Sequence, residues 1–172
     1  MVEVGGRGYT TQFGATRVHR SDVWDVDATH GATVVADLSQ APEVLSDTFD
    51  CFILPQVLEL ILRAPEAIGE IHRVLRPGGV ALITVPGISH ISPFPVEAAQ
   101  WSWSFYPRTL RWLLEQAGFA PDHVEVAGWG NLKTTVAFLA QLAESDLSPG
   151  DYAVNDDRYP LIVTARAVKA SR

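Results

Sequence analysis

The chain has 172 residues, 47% of them hydrophobic and 19% charged, with a formal charge of −7 and one cysteine, Cys51. This length suits a single domain spanning the whole chain with a buried core. The acidic balance argues against a nucleic-acid or anionic-membrane surface. A lone thiol excludes an internal disulfide and makes the cytoplasm the expected compartment.

No apolar run is long enough to cross a bilayer, and the opening Met-Val-Glu-Val-Gly-Gly has neither the basic nor the apolar stretch of a secretory leader. Apolar runs alternate with helical patterns along the chain, the mark of a largely parallel sheet covered by helices. The first predicted strand is 1–4, broken by Gly5, Gly6 and Gly8; a second lies within 17–22 and a third over 32–36. Only twelve residues, 5–16, join the first two. A parallel crossover needs about a dozen, so a stub or an irregular loop is expected there.

Residues 49–55 and 80–85 are continuously apolar and read as central strands buried on both faces. Between them Ala64, Ala67, Ile68, Ile71, Val74 and Leu75 follow three-four spacing and make one apolar stripe. Pro65 and Glu66 suit the start of that helix, Arg73 and Arg76 its end, and Pro77-Gly78-Gly79 its stop. A second helix carries Leu110, Leu113, Leu114 and Ala117 on one face before Gly118, and a third uses Leu132, Val136, Leu139 and Ala143. Residues 123–127 and 161–168 are the last two strands, an antiparallel pair at one edge, with an acidic loop over 144–157 between them.

Metal chemistry is not indicated: the five histidines are scattered, and there is no His-x-x-x-His or Cys-x-x-Cys pair. Neither a Gly-x-Ser-x-Gly nucleophile turn nor a phosphate-binding Gly-Lys-Ser/Thr loop is present.

The stretch 47–86 carries a resemblance. Phe49-Asp50 opens a strand, Gln56-Val57-Leu58-Glu59 follows it, and Arg73-Val74-Leu75-Arg76-Pro77-Gly78-Gly79 leads into a strand ending in Val85-Pro86. With Ala-Thr-Val-Val-Ala-Asp-Leu at 32–38, these phrases resemble the class I S-adenosylmethionine-dependent methyltransferases over about 17–118. They are similar to methyltransferase-like proteins of bacterial glycan, polysaccharide or secondary-metabolite clusters. The resemblance implies a Rossmann-like, doubly wound α/β fold with a mostly parallel seven-stranded sheet and an antiparallel edge, here lacking the family's usual N-terminal helices.

It also implies S-adenosylmethionine as cofactor, lying across the carboxyl ends of the strands. Glu3 and Gly5 match the start of the family's acidic, glycine-rich loop, whereas Gly6-Arg7-Gly8-Tyr9 is out of phase with it. By that likeness Gly5, Gly6 and Gly8 let the backbone approach the methionine part. Asp22 receives the ribose hydroxyls, with Asp25 taking its place if the strand is longer. Asp37 accepts from the adenine amino group, the Leu38 backbone meets a ring nitrogen, and Leu54 to Gln56 line the methionine end. Each also has an ordinary reading: glycines as turns, Asp37 as a helix cap, and Glu59, which could sit in the site mouth, as a polar face position.

The acceptor side falls in 87–107, with His90 as candidate base. Trp101, Trp103 and Tyr106 offer a stacking wall for a sugar or flat acceptor, or else pack the loop onto the core. The expected activity is methylation of a hydroxyl on a small-molecule, sugar, glycan or secondary-metabolite acceptor. The alternative is a catalytically lapsed methyltransferase-like domain that binds or scaffolds. The short first crossover implies that a second copy or a partner protein completes the site.

Overall fold

The computed structural model describes residues 1–91 and 101–171, without the side chains of residues 15 and 30. One sheet holds β1 (Val2–Val4), β2 (Asp22–Asp25), β3 (Val34–Val35), β4 (Phe49–Pro55), β5 (Leu75–Pro86), β6 (Val124–Trp129) and β7 (Ile162–Val168). The order is β3-β2-β1-β4-β5-β7-β6. β7 runs antiparallel to β5 and β6, and the other pairings are parallel. Strand order reverses between β1 and β4, which opens a crevice at their carboxyl ends.

The helices are α1 (Ala64–Val74), α2 (Pro107–Gln116), α3 (Leu132–Leu139) and the single turn α4 (Pro149–Tyr152). α1 buries Ala64, Ala67, Ile68, Ile71 and Val74, the stripe its spacing predicts. α1 and α2 pack against each other and against β5, β6 and β7. The strand residues facing them, Ala81, Ile83 and Val85, are buried.

The step from β1 to β2 moves in the opposite direction along the sheet from the step from β4 to β5, so a right-handed connection lies on the other face. That connection is a stub: a π-helical turn over Thr10–Gly14 and a 3-10 turn over Ala15–Arg17. Tyr9 and Phe13 of the stub stack with centroids 6.1 Å apart. They wall a cavity of about 660 Å³ whose floor includes Ile53, Leu82, Val126 and Thr164. Leu82 is 39% exposed there. β5 is therefore covered on one face only, not on both as its continuous apolarity predicts.

Three further expectations are corrected. β2 begins where the predicted second strand ends, because the buried Val23 and Trp24 pair with Glu3 and Val4 of β1. The Pro77-Gly78-Gly79 phrase lies inside β5 rather than in a separate stop, since α1 ends at Val74 and extended backbone resumes at Leu75. Leu132, Val136 and Leu139, the predicted inner face of α3, are exposed, and Thr134, Thr135 and Ala137 are buried instead.

The arginines of the Arg-Val-Leu-Arg phrase serve architecture. Arg73 forks onto Glu70 at 3.0 and 2.7 Å and donates to the carbonyls of Val44 (2.7 Å) and Ala41 (2.8 Å). Its hydrogen bonds hold the Glu70 carboxyl below the usual range. Arg76 pairs with Asp50 at 2.8 Å. Lys169, from the chain end, reaches Asp47 at 2.7 Å and the Leu75 carbonyl at 2.7 Å. The phrase thus ties the start of β5 to the loop before β4.

Candidate cofactor crevice

Four loops meet at the carboxyl edge of β1–β4. Gly5 leaves β1 with φ +78°, a conformation that favours glycine, and its amide donates to the Trp24 carbonyl at 3.0 Å. Gly6 has no such backbone need, yet a Cβ built on it meets no atom within 4 Å. At Gly8 a Cβ would meet only Glu3 Oε1, at 3.9 Å. The space beside this loop is empty of protein, the cradle a ligand approached by backbone requires.

Glu3 does not face that space as a ligand group. It is 3% exposed, and its two carboxylate oxygens accept from the amides of Tyr9 (3.0 Å) and Thr10 (2.8 Å). It anchors the stub and shapes the glycine loop. Glu3→Ala is expected to destabilise the fold by about 2 kcal/mol, because two amides at a buried turn lose their acceptors. Urea unfolding of the variant beside the wild type measures this.

Asp22 sits at the amino end of β2, on the sheet edge opposite the crevice. Its carboxylate is bonded to Arg20 (3.1 Å) and to the Thr33 hydroxyl (3.0 Å). Asp25 ends β2 at the crevice, accepting from the Asp27 amide at 3.0 Å. The strand therefore runs on to Asp25, because Val23 and Trp24, not the residues before Asp22, pair with β1.

Past β3, Asp37 is exposed and its Oδ1 accepts from the amide and hydroxyl of Ser39, both at 2.8 Å. Arg63 donates to Ser39 Oγ at 3.1 Å and so braces this turn. Leu38 is buried in the core, which leaves its role to the backbone. Past β4, Leu54 is fully buried, whereas Gln56 takes φ +52° and bridges to Thr84 at the end of β5 (amide to carbonyl 2.8 Å, side-chain amide to hydroxyl 3.1 Å). A non-glycine residue in the left-handed region costs about 1 kcal/mol or more, and such strain gathers at functional sites.

The acceptor-side residues lie apart. The His90 ring stacks on Phe138 of α3, centroids 4.8 Å apart, and its Nδ1 donates to the Ile91 carbonyl at 2.9 Å. Trp103 spends its indole N–H on the carbonyls of Ile61 (3.0 Å) and Leu62 (3.2 Å) and stacks on the buried Phe105. It is a packing residue that holds the loop down. Trp101 is half-buried and Tyr106 is exposed at the start of α2. Residues 92–100 of the predicted acceptor segment lie outside the described residues. Among the described residues no group of three His, Cys, Asp or Glu could hold a metal ion, and no helix is long and apolar enough to cross a membrane.

Glu59, read from the sequence as a surface position, is the outlier. It lies in the 3-10 turn Leu58–Leu60 just past β4 and is 2% exposed. Its Oε2 is buried with no hydrogen-bond partner among the described residues. Burial pushes its carboxyl up to about 7, partly offset by its own amide. The available signal was its isolation as the one charge in Val57-Leu58-Glu59-Leu60-Ile61.

The comparisons with known proteins agree on the fold. A S-adenosylmethionine-dependent methyltransferase from Archaeoglobus fulgidus superposes with TM-score 0.65 at 18% identity, over 98% of this chain and 85% of that one. In a Haloferax volcanii complex with the Trm112 methyltransferase activator the values are 0.64, 19%, 98% and 81%. The Haemonchus contortus phosphoethanolamine N-methyltransferase 2 bound to S-adenosylmethionine gives 0.62 at 17% identity over 99% of this chain, which spans only 48% of that enzyme. No curated protein sequence matches. The family model described as a methyltransferase domain matches residues 5–124, more than half of the chain, so this protein belongs to that methyltransferase family.

Proposed function

We propose that the chain is a S-adenosylmethionine-dependent methyltransferase that modifies a hydroxyl of a small-molecule acceptor, such as a sugar, glycan or secondary metabolite. The carrying observation is Gly6, whose missing side chain nothing in the protein requires and whose Cβ position faces empty space. In this reading Gly5, Gly6 and Gly8 admit the methionine part, and Asp25 takes the ribose hydroxyls in place of Asp22. The free Oδ2 side of Asp37 and the Leu38 backbone receive the adenine, and Pro55 and Gln56 line the methionine end. The cofactor, when bound, supplies an activated methyl group, and the chain contributes positioning and exclusion of water.

Calorimetric titration with S-adenosylhomocysteine tests this reading, with micromolar binding expected and a marked loss in Asp37→Ala. Absence of binding up to millimolar ligand from folded protein would refute it. Gly6→Ala separates ligand from fold. The added methyl enters open space in the free protein, so stability is unchanged within about 0.5 kcal/mol. Affinity is expected to fall at least about tenfold, or 1.4 kcal/mol. The acceptor is then sought with labelled cofactor against hydroxylated small molecules.

A second reading has its own support. The first crossover is a stub, and the sheet face beneath Tyr9 and Phe13 is apolar and open. A binding domain completed by a partner, as the Haloferax neighbour is seen with an activator, or by a second copy, accounts for that face. Sedimentation of the purified chain, alone and with candidate partners, distinguishes these cases.

A further inference from the structure

Glu59 poses a problem that packing does not answer. A carboxylate buried with one oxygen unpaired is a net cost, and a leucine or glutamine would fill the same turn with less penalty. Among the described residues its carboxyl has no ion-pair partner, and burial is what raises its proton affinity. α1 and β5 pack against its turn, and their charged groups are engaged elsewhere or exposed. Glu70 and Arg73 pair with each other, Arg76 pairs with Asp50, His72 packs edge-on against Phe119, and Glu66 is exposed.

Its position is equally specific. Glu59 lies four residues past the end of β4, beyond the strained Gln56, at the edge where strand order reverses. Residues 102–105 are tied down beside it: the amides of Ser102 (2.8 Å) and Trp103 (3.2 Å) donate to the Glu59 main-chain carbonyl, and the Phe105 amide donates to the Pro86 carbonyl at 2.9 Å. Residues 102–103, beside the predicted acceptor segment, are thereby fixed to the backbone of this turn.

We propose that Glu59 is the base that takes the acceptor's proton in methyl transfer, its unpaired Oε2 staying buried until the acceptor hydroxyl bonds to it. This rests on the methyltransferase reading above. In the step, the acceptor oxygen bonds to the methyl carbon while the carbon–sulfur bond breaks and its electron pair stays on sulfur. The hydroxyl proton passes to Oε2, and the neutral carboxyl then returns it to water. A base whose own affinity for the proton lies near neutrality is suited to this transfer. The His90 ring is instead stacked on Phe138 with its Nδ1 bonded to the Ile91 carbonyl.

The test needs no acceptor. Protein labelled with carboxyl-¹³C glutamate is titrated by NMR, with Glu59 assigned through Glu59→Gln, once saturated with S-adenosylhomocysteine and once with S-adenosylmethionine. The two ligands differ at the reacting centre by a methyl group and a positive charge. A carboxyl within reach of that centre is expected to titrate about one pH unit lower with the charged ligand. Equal midpoints with both ligands bound overturn the assignment and leave Glu59 remote from the chemistry. Failure of either ligand to bind, seen by calorimetry on the same sample, overturns it by removing the methyltransferase reading beneath it. Unchanged S-adenosylhomocysteine affinity in Glu59→Gln is the accompanying expectation, since the role concerns the acceptor and not the cofactor.

Discussion

Replacing Glu59 by glutamine is expected to remove a loss of stability that the wild-type protein suffers between about pH 5 and pH 8. The folded carboxyl holds its proton up to about 7, against an ordinary value of 4.5. The native state thus keeps a proton that the unfolded chain releases. This favours folding fully below the ordinary value and is lost as pH rises through the folded one. A gap of this size corresponds to about 3 kcal/mol between the two ends of the window. Glutamine has the same shape and does not titrate, so the variant should be level across the window in the difference between the two proteins. Taking the difference matters because Glu70, held below the usual range by Arg73, acts in the opposite sense at lower pH. Urea unfolding of both proteins at pH 5 and pH 8 measures the effect. Parallel curves, with no change in their separation, would show that Glu59 is hydrated and ordinary in solution.

Gly87→Ala is expected to cost about 3 kcal/mol or more, although it adds one methyl group at a position that looks unremarkable in the sequence. Gly87 follows β5 and donates to the Leu161 carbonyl at 2.9 Å, while the Ile88 amide donates to the Pro160 carbonyl at 2.8 Å. A Cβ on Gly87 would collide with that Pro160 carbonyl oxygen and lie 3.0 Å from its carbon. The colliding atoms are backbone, so no rotamer change relieves them, and separation breaks the link between β5 and the start of β7. For a domain of this size the penalty lowers the melting temperature by roughly 6–12 °C. Thermal unfolding followed by circular dichroism reads it directly. A shift under 2 °C would mean that the two segments are not in contact in solution.

Elements whose partners are local were legible in the residues. α1 declared itself because its three-four stripe, its Pro65 start and its basic end all depend on one helix's own period. β4 was bounded correctly at 49–55 because an uninterrupted apolar run between turn residues has few other uses. The sheet order was carried by the family resemblance of the Arg-Val-Leu-Arg-Pro-Gly-Gly phrase, not by periodicity. β2 was displaced because its apolar content is only Val23 and Trp24 between two aspartates, and it exists by pairing with β1. That displacement puts Asp22 at the amino end of β2 and Asp25 at its carboxyl end.

Composition and local pattern by themselves determined an acidic α/β chain with its glycine loop, Asp37 and Gln56 each just past a strand. Only the tertiary structure decided which side of an element meets another element. A period shows that a face is apolar but not whether anything covers it, so α3 and the Leu82 side of β5 face outward against expectation. In the same way it showed that Glu3, matched in sequence to the family's acidic loop, anchors that loop through the Tyr9 and Thr10 amides. It also turned Glu59 from a surface charge into a buried one, because burial of a side chain depends on which elements fold around it.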